Sequence, residues 1–133
     1  MNFEQYLQLF TQEKIDIEYI RKDIYEKTFL KEVNGRIESK GAYLGTQKKS
    51  FEPSLYLLER ISKVSKNKVF VNKESEWLFL CGRDVFEKNI LKNDATKHIF
   101  LVQNENDENL GLGMFTRGMV KNLMDRGDFL RRE

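Results

Sequence analysis

Few residues in this sequence could carry covalent chemistry, since it contains one cysteine and one histidine. A cysteine nucleophile needs a histidine beside it to accept its proton, so Cys81 and His98 would have to meet in the fold. No motif brings them together, and the apolar run around Cys81 favours a buried structural thiol. One cysteine and one histidine also cannot form the usual zinc ligand set. We therefore expect no catalytic residues, no metal site and no cofactor.

The oxygen-rich and glycine-rich segments give equally weak evidence of a catalytic, calcium or nucleotide-binding site. Glu74 and Glu76 would share a face on a strand and could act as an acid–base pair, but nothing else indicates a substrate pocket. Residues 104–109 lack the spacing, central glycine and closing glutamate of a calcium loop, so they predict a polar turn. Gly111 and Gly113 lack the third glycine of a nucleotide-binding motif and mark bends or close backbone approach in a strand.

The charged side chains are distributed unevenly along the chain, although its net charge is only +2. Residues 36–73 hold nine basic and three acidic side chains, and residues 109–133 hold five basic and three acidic ones. The segment between them, residues 74–108, holds eight acidic and four basic side chains. If the two basic segments share a face, they form a surface for phosphate. Charge counting alone favours a solvated, lysine-rich surface.

Composition sets the class of protein. A chain of 133 residues with 40% hydrophobic side chains fits one domain, or one small domain with an extension. The single cysteine indicates a reducing compartment. No secretory signal and no apolar run of about 20 residues are evident. We expect a cytoplasmic protein without a membrane partner.

The N-terminal half mixes helix and strand patterns. Residues 3–10 predict an amphipathic helix, and alternation over residues 14–20 predicts a strand. Residues 24–33 can line a helix that ends at Gly35, or residues 28–33 and 36–42 can form a hairpin that turns at Asn34-Gly35, and the two alternatives stay open. A further helix is predicted over residues 53–63, with Pro53 in its first turn.

The C-terminal half predicts a compact mixed barrel. Its predicted strands and one short helix follow in this order: strand 68–72, buried strand 77–81, helix from Asp84 to about Leu91, strand 98–103 and strand 110–116. Most aromatic residues of this half are predicted to lie in the core, with Trp77 as a weaker candidate for stacking on a base.

Four blocks of the C-terminal half resemble the PUA domain, which is named after pseudouridine synthases and archaeosine transglycosylases. The blocks are Lys68-Val-Phe-Val-Asn72, Phe79-Leu-Cys-Gly-Arg-Asp-Val85, Leu110-Gly-Leu-Gly113 and Asp125-Arg-Gly-Asp-Phe-Leu-Arg131. Upstream, Tyr43-Leu-Gly-Thr46 and Glu52-Pro-Ser-Leu-Tyr-Leu-Leu58 are similar to ribosome biogenesis factors of the Nip-seven type. The resemblance covers residues 42–133, whereas residues 1–41 match poorly and the N-terminal region is shorter than is usual in that family.

The resemblance implies an α+β protein, with an N-terminal α/β region at residues 1–66 and a PUA-type β pseudo-barrel at residues 67–133. It also implies a non-catalytic RNA-binding factor in ribosomal RNA processing or large-subunit assembly. Ribosomal RNA and ribosome-assembly or RNA-processing proteins are the expected partners.

PUA domains bind RNA between a glycine loop and the closing strands, and this implies a set of RNA-binding residues here. They are Gly82, Arg83, Arg117, Lys121, Arg126, Arg131 and Arg132. Arginine and lysine would contact phosphates, and glycine would let a nucleotide approach the backbone.

Two alternatives remain at this stage. The chain could be an accessory RNA-binding subunit of an RNA-modifying enzyme. It could also be a protein-interaction module, which an exposed patch of Phe3, Leu7 and Phe10 would favour.

Overall fold

A computed structural model describes residues 1–27 and 41–131 of the chain. The N-terminal lobe packs two helices against one antiparallel sheet with strand order β1-β2-β3-β4. Its elements are α1 (Phe3–Gln8), β1 (Ile17–Ile20), β2 (Asp23–Glu26), β3 (Tyr43–Gln47), β4 (Phe51–Pro53) and α2 (Leu55–Val64). The second strand shows that Ile24 and Tyr25 do not belong to a helix. The predicted turn at Asn34-Gly35 lies outside the described residues.

The C-terminal lobe is a six-stranded sheet that curls into a nearly closed barrel, with order β6-β10-β9-β8-β5-β7. Its elements are β5 (Lys68–Val71), α3 (Lys73–Leu80), β6 (Val85–Phe86), a 3-10 helix (Glu87–Asn89), β7 (Ile90–Asn93), β8 (Phe100–Gln103), β9 (Asn109–Thr116), β10 (Met119–Asp125) and α4 (Arg126–Arg131). Strands β5 and β8 pair in parallel, so the chain crosses over between them through α3, β6 and β7. This architecture confirms the predicted α+β fold with a β pseudo-barrel.

Two hydrophobic cores meet at the central strands β8 and β9. Phe100 and Val102 point into the barrel, where they pack with Phe79 of α3. Leu101 and Leu112, which pair across β8 and β9, face the other way and join the core of the N-terminal lobe. Side chains alternate between the faces of a strand, so one pair of strands supplies both cores and ties the lobes together.

The predicted strand at residues 77–81 is wrong, because these residues lie in and just after helix α3. The Asn72 side chain caps this helix by accepting a hydrogen bond from the Ser75 N–H at 3.0 Å. The helical period leaves Trp77 exposed, and Glu74 and Glu76 do not share a face as they would on a strand. Cys81 follows the last turn and is exposed, so the expectation of a buried thiol is also wrong.

The helix predicted from Asp84 to about Leu91 is wrong as well. The segment forms β6, one turn of 3-10 helix and the start of β7, because Val85 and Phe86 pair with the edge of β10. The helix predicted at residues 53–63 is confirmed, except that Pro53 ends β4 and Ser54 is the N-cap. The predicted N-terminal helix and the strands near residues 68–72, 98–103 and 110–116 are confirmed.

Candidate nucleic-acid interface

A groove of about 470 Å³ runs between α3 and the edge formed by β6 and β10. The groove is lined by Ser75, Leu78, Gly82, Arg83, Asp84, Val85, Phe86, Asn89 and Met119. We call it, together with the exposed cations Arg117 and Lys121 beside it, the basic groove. The predicted glycine loop therefore forms one end of a concave surface, and β6 forms one wall.

The loop at Gly82 is held in place from both sides. Gly82 adopts a φ of +90°, and its N–H donates to the Phe79 carbonyl at 2.9 Å. The Asp84 carboxylate accepts a hydrogen bond from the Asn122 N–H of β10 at 2.8 Å, and the Asn122 amide donates to the Phe79 carbonyl at 2.8 Å. Asp84 is therefore engaged with the backbone of β10, and the Arg83 side chain projects into solvent beside it.

The turn between β9 and β10 places a second cation near the end of β6. Arg117 and Gly118 form a two-residue turn with φ angles of 44° and 78°, which is the type I′ geometry. The Glu87 N–H donates to the Gly118 carbonyl at 3.0 Å, so the turn sits against the start of the 3-10 helix. Lys121 follows on β10 and is exposed. The fold thus brings Arg83, Arg117 and Lys121 to one edge of the barrel.

These three cations have no anionic partner in the part of the chain that the structure describes. No carboxylate of residues 1–27 or 41–131 lies within 4.0 Å of a charged nitrogen of Arg83, Arg117 or Lys121. Unpaired, exposed cations are available to phosphate oxygens without first breaking an ion pair.

Phe86 is an aromatic residue of this groove that the sequence reasoning missed. Its ring is 56% exposed, and the Lys88 Nζ lies 5.8 Å from the ring centroid. The alternation of buried Val85 with exposed Phe86 is the signal for an outward ring, but the expected helix at this segment concealed it. An exposed ring between cations is the arrangement that stacks an unpaired base.

Two other predicted RNA-binding residues make contacts within their own chain. Arg126 forms an ion pair with Glu59 of α2 and donates to the Asn109 carbonyl at 3.3 Å. Arg131 donates to the Leu80 carbonyl at 2.9 Å and pairs with Asp125 at 3.3 Å. Arg132 lies outside the described residues.

Residues 125–131 hold α4 against the end of α3, and we call this segment the clamp. Asp125 is 4% exposed and accepts a hydrogen bond from the Asp128 N–H at 2.8 Å, which caps α4. A side chain at Gly127 would bring its Cβ to 1.9 Å from the Leu80 carbonyl oxygen, so only glycine lets α4 approach the end of α3 this closely. The block therefore fixes α4 against α3 and supports the Gly82 loop from behind.

The described residues contain neither a metal-binding cluster nor a membrane-spanning helix. Within residues 1–27 and 41–131, no group of three or more His, Cys, Asp or Glu side chains could hold a metal ion. None of the helices described is long and apolar enough to cross a bilayer. In the N-terminal lobe, the Glu26 carboxylate accepts a hydrogen bond from the Arg60 guanidinium at 2.6 Å and raises its pKa. Arg60 is therefore already paired with an anion of its own chain.

Comparisons with known proteins agree with this architecture. Residues 67–133 match the family model described as UPF0113 PUA domain. A UPF0113 protein from Archaeoglobus fulgidus is 33% identical over an alignment of 98 residues, which covers 63% of this chain and 54% of that protein. The chain therefore spans about half the length of this curated relative. A conserved PUA domain protein from Thermoplasma acidophilum has a similar structure, with a TM-score of 0.60 at 18% identity, over 96% of this chain and 89% of that one.

Proposed function

The chain belongs to the UPF0113 PUA domain family, and from this premise we propose that it binds RNA in the basic groove. The observation that carries the proposal is the group of three exposed cations, Arg83, Arg117 and Lys121, which lack ion-pair partners among the described residues. Phosphate contacts dominate the affinity of most RNA-binding surfaces.

Different residues of the groove would contact the phosphates and the bases of a bound strand. Arg83 and Lys121 would contact consecutive phosphates along the β10 edge, and Arg117 would reach a phosphate beyond the turn. Phe86 would stack on an unpaired base, since every base presents an apolar face to a ring. Gly82 lines the groove, so the backbone of its loop would lie beside the bound nucleotide. This arrangement suits single-stranded RNA or the loop of a hairpin.

The biological role that we propose is a non-catalytic factor in ribosomal RNA processing or large-subunit assembly. The resemblance of residues 42–133 to the Nip-seven type of biogenesis factor supports this role. In this proposal residues 67–133 form the RNA-binding unit, and residues 1–66 form a separate unit packed on it. The partners would be ribosomal RNA and proteins of the assembly pathway, in the cytoplasm.

Fluorescence anisotropy with labelled single-stranded and hairpin RNAs at two salt concentrations tests the groove. The triple variant Arg83→Ala/Arg117→Ala/Lys121→Ala should bind more weakly than the wild type. Its plot of log affinity against log salt should be shallower by about 2, since each single-strand phosphate contact contributes roughly 0.7 to the slope.

A matched control removes the same charge elsewhere. Lys14, Lys27 and Lys97 are exposed and lie outside the basic groove, so their triple alanine variant also lowers the net charge by three. It should retain most of the affinity and nearly the full salt slope. Equal losses in the two triple variants would mean that net charge alone attracts RNA, and the basic groove would then have no special role.

A further inference from the structure

A second groove lies on the opposite side of α3, between that helix and α4, with a volume of about 500 Å³. We call it the Trp77 groove. Trp77 and Leu130 are 68% and 70% exposed, which makes them the two most exposed large apolar side chains of the described residues. Leu80 and Cys81 line the groove between them. Side chains of this size are costly to leave in water, so a cluster of them indicates a contact surface.

The Trp77 groove carries two carboxylates whose negative charge no cation of the described residues neutralises. Glu76 and Glu108 both accept hydrogen bonds from the Asn104 amide nitrogen, at 3.0 and 3.1 Å. No cation of residues 1–27 or 41–131 forms an ion pair with either carboxylate. An amide donor satisfies the geometry of a carboxylate and leaves its charge unbalanced.

The cations at the edge of the groove are already neutralised. Arg126 lines the groove, but its guanidinium is paired with Glu59. Arg131, which donates to the Leu80 carbonyl, is paired with Asp125. A ligand that enters the groove therefore meets two apolar anchoring points and two unbalanced carboxylates. Phosphate groups would be repelled here, whereas lysine and arginine would be attracted.

We propose that the Trp77 groove docks a protein segment that carries a large apolar side chain next to lysine or arginine. The apolar side chain would pack between Trp77 and Leu130, and the cation would pair with Glu76 and Glu108. The groove is preformed, since the close approach of Gly127 to the Leu80 carbonyl fixes α4 against α3. A preformed site loses little conformational entropy on binding.

The docking site and the basic groove can be occupied together. Ser75 and Leu78 of α3 line the basic groove, whereas Glu76, Trp77 and Leu80 line the Trp77 groove. The two sets lie on different faces of one helix. The partner therefore does not compete with RNA for side chains, and this inference stands even if the basic groove binds no RNA.

Selection from a library of random dodecapeptides displayed on phage tests the proposal. Full-length protein serves as bait, and clones that also bind the Trp77→Ala variant are discarded. We expect the enriched peptides to combine an aromatic residue or leucine with neighbouring lysine or arginine. Synthetic copies should bind in a salt-sensitive manner and should perturb the fluorescence of Trp77, the one tryptophan of the chain.

Labelled peptides then allow the variants to be compared by anisotropy. Trp77→Ala and Leu130→Ala should each weaken binding by roughly 30-fold, as expected for anchors at the centre of an interface. Glu76→Gln/Glu108→Gln should weaken it severalfold and remove the salt sensitivity. Leu91→Ala is the matched control, because Leu91 is an exposed leucine on β7, outside the groove, and its loss should change nothing.

Several results would overturn the proposal. One is a selection in which no peptide depends on Trp77; another is enrichment of acidic or salt-insensitive peptides. Self-association that Leu130→Ala abolishes would identify the occupant as a second copy of this chain. Quenching of Trp77 by short RNA, with loss of RNA affinity in Trp77→Ala, would assign the ring to base stacking.

Discussion

Arg117 occupies a backbone conformation that suits asparagine better than arginine. Its φ of 44° lies in the left-handed region, at the first position of a type I′ turn followed by Gly118. A residue other than glycine held there costs about 1 kcal/mol or more, and asparagine relieves part of that cost by local hydrogen bonding. The Arg117 side chain is exposed and forms no ion pair with the described residues, so neither burial nor an ion pair offsets the strain. The substitution Arg117→Asn should therefore stabilise the fold by roughly 0.5–1 kcal/mol.

The same substitution should weaken RNA binding. The fold stability should therefore rise while the RNA affinity falls, and general damage to the fold could not produce that combination. A gain of that size raises the Tm by about 2–4 °C for a domain of this length, which differential scanning fluorimetry resolves. Loss of one phosphate contact should lower the affinity at low salt by roughly five- to tenfold, or about 1 kcal/mol. The control is Arg117→Lys, which keeps both the charge and the strained turn and should leave both quantities near those of the wild type.

The changes in Tm and in RNA affinity are independent of each other. A lower Tm for Arg117→Asn would show that the arginine stabilises the turn despite its left-handed φ. A higher Tm with unchanged RNA affinity would confirm the strain and remove Arg117 from the interface.

Three other substitutions test the clamp, the barrel and the titration of an ion pair. Asp125→Ala removes the buried cap of α4 and should cost about 2–4 kcal/mol in urea denaturation, and a loss below about 1 kcal/mol would contradict its structural role. Gly111→Ala would place a Cβ at 1.9 Å from a carbonyl oxygen of β10 at a φ of +146°, so the Tm should fall by several degrees, and an unchanged Tm would refute the close packing. Burial acts to raise the pKa of Asp107, but the hydrogen bond from Gln103 and the charge of Lys68 outweigh it, and the net shift is downward. The ionised carboxylate therefore stabilises the fold above its unfolded pKa, near 3.9, and this contribution is lost as the pH falls through the lower folded pKa. Asp107→Asn should reduce stability at pH 7 by less than about 1 kcal/mol, because the pair is partly exposed. Denaturation at a series of pH values should show this difference shrinking below about pH 4, and a constant difference would point to lost packing.

The barrel strands could be predicted because their hydrophobic patterns are unambiguous. Strands β5, β8 and β9 carry apolar runs bounded by polar turns, which single-sequence reasoning identifies well. The four-block resemblance to the PUA domain is confirmed by the family match over residues 67–133. Both kinds of signal are local, since each depends on a few consecutive residues.

Helix α3 was missed because its apolar run is short and continuous. Five such residues fit a buried strand or a helix equally well, and periodicity cannot separate the two. The decisive signal was upstream, where Asn72 precedes Glu74 and Glu76 as a cap precedes the acidic first turn of a helix. The same error concealed the exposure of Trp77 and Cys81, and with them the Trp77 groove.

The expected RNA-binding set contains both paired and unpaired basic residues, and only long-range contacts distinguish them. Arg83, Arg117 and Lys121 remain without ion-pair partners in the described chain, whereas Arg126 and Arg131 are paired with carboxylates. A sequence shows how many basic residues an element carries. The partner of each is set by residues as distant as Glu59, which the sequence does not reveal.

Helix α3 also explains how one small barrel presents two surfaces of opposite charge without mutual cancellation. A phosphate bound in the basic groove would be separated from Glu76 by the width of the helix, about 10 Å. At that distance two unit charges in water interact by roughly 0.4 kcal/mol, and physiological salt screens most of it, since the Debye length is about 8 Å. The acidic groove should therefore repel an RNA strand in the basic groove only weakly. A cationic partner docked beside Trp77 would, for the same reason, add little to RNA affinity, so each surface can be tuned by mutation without loss of the other.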